Sequence, residues 1–123
     1  DAVPALLARF AAAALRDAPG PLTVRVDRFD RHYAYTDPDR GALAETVSQE
    51  ADRADLLVRD LRGSGVCQIA LGAEAQPVLS LSGQGPDLSL TLECGADQLS
   101  PERALSLVRR VAGRLSDPLS HLL

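Results

Sequence analysis

The chain has 123 residues, 46% of them hydrophobic and 24% charged, the balance of one globular domain and not of a disordered segment. Net charge is −4, and all 13 basic residues are arginine, interleaved with aspartate and gathered into no stripe, which argues against a nucleic-acid partner. With aromatic residues at 3% and no run of 18 apolar residues, neither base stacking nor a membrane span is expected.

Residues 3–17 read as a helix. Val3, Leu6, Leu7, Phe10 and Ala14 fall on one face, and Pro4 is tolerated in the first turn. The segment is broken by Arg9 and has no basic leader, so a secretion signal is not expected. "APGP" stops the helix. "LTVRVD" alternates Leu22, Val24 and Val26 with polar residues, the mark of a half-buried strand. "RHYAYT" follows as a second strand, and "DPDRG" reads as a solvated turn.

"ALAETV" fits either a third strand or the opening of a helix. "SQEADRADLLVRDLRG" reads as a helix, with Ser48 as N-cap, a stripe of Ala51, Ala54, Leu57, Val58 and Leu61, and Gly63 at its end. "VCQIAL", "PVLSLS" and "LSLTLE" read as three strands joined by hairpins. "LSPERALSLVRRVAGRL" closes the chain as a helix. Ser100 caps it, Pro101 opens it, and Leu105, Val108, Val111, Ala112 and Leu115 are expected to face inward. The expected fold is α+β: a small antiparallel β-sheet sandwich with three amphipathic helices in the order α-β-β-(β)-α-β-β-β-α, spanning residues 1–123 as a single domain.

Residues suited to chemistry are sparse. His32 and His121 show no metal-ligand spacing. Cys67 and Cys94 form neither a disulfide framework nor a metal motif. They read as two reduced thiols, with a bridge between neighbouring strands as the alternative. The "GSG" and "GQG" segments lack the pattern of a phosphate loop. No cofactor, no metal and no catalytic residue is expected, which leaves apolar faces of strands and helices as the candidates for partner binding.

The order of elements, with "VPALLARFAAAAL", "PLTVRVDRFDRHYAYTD", "ADRADLLVRDLRGSGVCQIALGAEAQPVLSLS" and "DQLSPERALSLVRRVAGRLSDPLSHLL", resembles the class I chaperones of bacterial type III secretion systems. The resemblance implies a cytoplasmic homodimer that holds the N-terminal segment of an effector protein in extended form, away from nucleic acid and membrane. By position it implies a client groove of Leu6, Phe10, Val24, Val26, Phe29, Val78, Leu79 and Leu81, and a dimer contact of Leu57, Val58 and Leu61. "GPDLSLTLECGADQLSPERALSLVRRVAGRL" also resembles the last strand and helix of condensation or chloramphenicol-acetyltransferase-like domains. Those enzymes need an HHxxxDG motif, and this sequence has no His-His pair, so that resemblance implies an inactive part of such a domain. A small regulatory or immunity protein that binds one partner is a third expectation.

Overall fold

The computed structural model describes residues 3–17, 19–28, 31–40, 54–62, 75–83 and 88–116. Helix α1 spans Val3–Leu15, β1 Thr23–Arg28, β2 Arg31–Thr36, β3 Leu56–Asp60, β4 Val78–Ser82, β5 Ser89–Glu93, and α2 Pro101–Ser116. The five strands form one mixed sheet in the order β2-β1-β3-β4-β5. The outer pairs, β1 with β2 and β4 with β5, are antiparallel. The inner pairs, β1 with β3 and β3 with β4, are parallel.

The expected class, α+β, holds. Three finer expectations do not. The sheet is mixed and not purely antiparallel. The described residues contain two helices and not three. The helix expected over 48–62 is replaced, from residue 56, by β3. Its apolar positions fit helical spacing, yet Leu56, Leu57 and Val58 are all buried. A central strand covered on both faces loses its alternation and reads as a short apolar run, which spacing alone cannot separate from a helix. The strand expected at "VCQIAL" and the ambiguous "ALAETV" lie outside the described residues.

The main core cluster lies on one face of the sheet. Val24 and Val26, Leu56 and Val58, and Leu79 and Leu81 point toward α1, which contributes Leu7, Ala8, Ala11, Ala12 and Ala14. Alanine is the strongest helix former, and its small side chain lets α1 lie close to the strands. The leucine-serine hairpin has its partner within the chain. Leu90 pairs across from Leu81 and Leu92 from Leu79. All four join the cluster that Leu107 and Val111 of α2 complete.

The ends of the helices are closed by different means. Ser100 Oγ accepts from the Arg103 amide at 3.2 Å, which is the N-cap read from the sequence. At its far end α1 has no basic residue in its last turn. Arginines of α2 serve there instead: Arg110 donates to the Ala14 carbonyl and Arg103 to that of Leu15, each at 3.3 Å. Positive charge at a helix C-terminus favours both the free carbonyls and the helix dipole. Gly20, at φ 136°, then carries the chain round to β1 through a conformation side chains avoid.

Candidate functional site

Among the described residues two places combine polar groups with a recess in the surface: the end of the sheet where α1 stops and α2 starts, and the outward face of α2. At the first, Arg16 leaves α1 and reaches the turn after β2. Its Nε donates to Asp39 Oδ2 at 2.6 Å, and its Nη2 to Asp39 Oδ1 at 2.9 Å and Asp37 Oδ1 at 2.7 Å. Nη1 donates to the Gly20 carbonyl at 2.7 Å. The fork against Asp39 is the planar pairing that arginine makes and lysine cannot.

Asp37 has φ 51°, in the left-handed region that aspartate tolerates better than most residues. Its carboxylate is fixed by the Leu22 amide at 2.9 Å as well as by Arg16. The Arg16 hydrogen bond holds the Asp37 carboxyl below the ordinary value of 3.8. Burial pushes Asp39 upward, but its bonds to Arg16 and the backbone outweigh this and leave it lowered too. The expectation of a solvated turn at "DPDRG" is therefore corrected. It is a turn, but its carboxylates are half-buried ligands of a guanidinium. Two carboxylates two residues apart, with an unmatched arginine at a helix end, were the available signal.

Beside this clasp is a recess of about 300 Å3 whose polar lining includes Arg16, Asp17, Asp55, Gln98 and Arg103. Its arginines are matched: Arg16 to Asp37 and Asp39, and Arg103 to Asp17 at 3.2 Å. Asp55 accepts from the Thr23 amide at 2.8 Å. The recess is thus a polar hollow in which the arginines are paired and the Asp55 carboxylate is held by an amide. The far end of the sheet carries a second clasp. Asp60 is buried between Arg62, at 2.8 Å, and Arg28, at 3.2 Å. Burial works to raise its carboxyl, but hydrogen bonds and charge from Arg62, with Arg28 behind, hold it below the ordinary range.

Among the described residues nucleophile and base are not brought together. His32 is exposed on edge strand β2, where Asp27 Oδ1 lies 2.8 Å from Nδ1 and Arg25 Nη2 lies 3.3 Å from the same nitrogen. Cys94, a free thiol, follows β5 at the opposite edge of the sheet. Four strand spacings separate the two edges, roughly 19 Å. Cys67 and His121 lie outside the described residues. Among the described residues no group of histidine, cysteine and carboxylates is placed to hold a metal. None of their helices is long and apolar enough to cross a membrane.

The residues expected to line a client groove are gathered in one region, but in the interior. Phe10, Val24, Val26, Val78, Leu79 and Leu81 are all buried, and Leu6 is half-buried. Val78 lies on the opposite face of the sheet from Leu79 and Leu81, and Phe29 is outside the described residues. Of the residues expected at a dimer contact, Leu57 and Val58 are buried on opposite faces of β3, and Leu61 is half-buried. Among the described residues the large apolar side chain that does reach solvent is Leu105, 61% exposed, where helical spacing places it facing inward. Leu107 takes the inward position instead. A shallow depression beside Leu105 is lined by Glu102, Ser106, Arg109 and Arg110.

No protein-family model matches the chain, and no curated protein sequence matches it. Among solved structures it is similar to the dihydrolipoamide acetyltransferase (E2p) of Azotobacter vinelandii, in a study of a serine, a histidine and an asparagine in its catalytic mechanism. The two share 14% identity with a TM-score of 0.62, over 100% of this chain and 71% of that one. At that identity the likeness is one of fold.

Proposed function

We propose that this chain acts by binding another protein, as a non-catalytic member or part of a condensation/acetyltransferase-like body. The observation that carries this reading is the likeness of fold along its whole length to an acetyltransferase, joined to a sequence without a His-His pair. Shared fold does not bring shared chemistry, which depends on the residues at the site. Here His32 and Cys94 stand at opposite sheet edges. The test is acyl transfer from acetyl-CoA to a small alcohol or amine acceptor, followed by release of the CoA thiol. The expected result is a rate equal to background. Turnover above background that disappears in His32→Ala would overturn the reading.

A second reading is the type III secretion chaperone, cytoplasmic and homodimeric. It is supported by the acidic, leucine-rich composition and by two sheet edges, β2 and β5, open to strand addition among the described residues. A client on the inner face would have to displace α1 from Val24, Val26, Leu79 and Leu81, so strand addition at an edge is the route this reading takes. It predicts a dimer by light scattering and an effector N-terminal segment retained on co-expression. A monomer that retains none would remove it.

A further inference from the structure

We propose that the outward face of α2 is a docking surface for an acidic helix of another protein that carries an apolar anchor. This names a partner chemistry for the binding role above and rests on that reading. Three residues along one face carry the inference. Leu105 is the exposed large apolar side chain of the described residues. Arg109, one turn on, is exposed and, unlike Arg103 and Arg110, makes no hydrogen bond or ion pair with the described residues. Gly113, a further turn on, is exposed, and a side chain there would meet nothing within 4 Å.

The glycine is the telling member. Within a helix it is less favourable than alanine, and here neither a left-handed turn nor a close neighbour in this chain calls for it. A bare position on an exposed face lets a second helix approach closely, because interaxial distance is set by the side chains at the contact. Leu105, Arg109 and Gly113 then form a ridge at four-residue spacing that offers an apolar knob, a free cation and a notch.

Charge selects the occupant. Helix α2 carries four arginines against one glutamate, a balance of +3 in a chain whose total is −4, so the rest of the chain stands at −7. The basic helix is thus set on an acidic body, and its complement is acidic. A second copy docked α2 to α2 about a twofold axis would place Arg109 and Arg110 against their own equivalents, a like-charge contact. One exposed leucine is too little apolar surface for an amphipathic helix to lie in a bilayer.

The test uses the whole chain and a fluorescent, staple-constrained helical peptide with glutamate and leucine at four-residue spacing. Two controls are a peptide with lysine for glutamate and one with alanine for leucine. The expected result is salt-sensitive binding of the glutamate-leucine peptide alone, with NMR shifts confined to residues 102–116. Arg109→Glu and Leu105→Ala should each weaken it by about tenfold or more. Gly113→Leu should block it while circular dichroism and melting show an intact fold. Absence of binding, equal binding of the lysine peptide, or shifts elsewhere would overturn the proposal. So would a homodimer that covers Leu105, or capture by anionic phosphatidylserine vesicles in place of the peptide. Failure here with acyl transfer at background removes this surface and leaves the partner-binding reading standing.

Discussion

Removing Arg16 tests the most concentrated polar contact among the described residues. Arg16→Ala deletes three bonds to carboxylates and one to the Gly20 carbonyl. It leaves Asp39, whose side chain is 9% exposed, and Asp37, at 29%, without their counterion. Breaking a buried pair by deleting one partner costs about 3–5 kcal/mol, and the partial exposure of Asp37 places this case near 3. For a domain stable by about 5–15 kcal/mol that is a large fraction, readable as a lower urea midpoint at unchanged slope. Arg16→Lys keeps the charge but not the fork and should fall between. The double change Arg16→Ala with Asp39→Ala should recover part of the loss, giving a coupling of about 0.5–3 kcal/mol. The pH profile gives an independent reading. Both carboxyls are held below 3.8 when folded, so the stability they contribute is present above that value. It is lost as pH falls through the folded values. Arg16→Ala should therefore flatten the acid limb below about pH 5. A loss under about 1 kcal/mol, the size of an ordinary surface ion pair, together with an unchanged acid limb would refute the reasoning.

Asp60→Ala should destabilise by about 3 kcal/mol in urea titration, near the low end for a broken buried pair because Arg28 and Arg62 both reach water. Ser100→Ala should lose about 0.5–2 kcal/mol of stability by thermal melting through its cap on α2. Gly113→Ala should instead gain up to about 1 kcal/mol and raise the melting temperature, since the added methyl meets nothing. Phe10→Asp should abolish the folded signal by circular dichroism, because Phe10 is 2% exposed, whereas Leu105→Glu should leave it within about 0.5 kcal/mol of the parent.

Much of the fold was legible where one face of an element is wet. β1, β2 and β5 were expected close to their observed bounds, because period-two alternation survives at half-buried strands, and β4 because its leucines alternate with serines although all five of its residues are buried. α2 was legible down to its capping serine, since Ser-Pro-Glu before a periodic stripe is a local signal. β3 was not legible. Its burial comes from strands distant in sequence, and within "ADLLVRDL" nothing local opposes a helix. The same limit applies to Arg16, whose carboxylate partners lie 21 and 23 residues away. Leu105 failed for a narrower reason. Leu105 and Leu107 lie two residues apart on the helix, and the direction from which α1 and the sheet approach turns Leu107 inward.

The placement of β3 has a consequence for how the sheet is assembled. The two hairpins, β1–β2 and β4–β5, are each closed by a short stretch of chain, so each can form early and alone. The two do not pair with each other, because β3 stands between them and pairs with both. Parallel neighbours demand connections of about a dozen residues or more, so β3 carries the entropy of closing the long loops on either side. Within the sheet, the pairings of greatest sequence separation are therefore concentrated in one strand of five residues, and these are the slow ones to form. β3 acts as the keystone of the sheet: two local units become one cooperative domain only when it is seated. Kinetics on Val58→Ala that slowed folding of either hairpin before they joined would contradict this order.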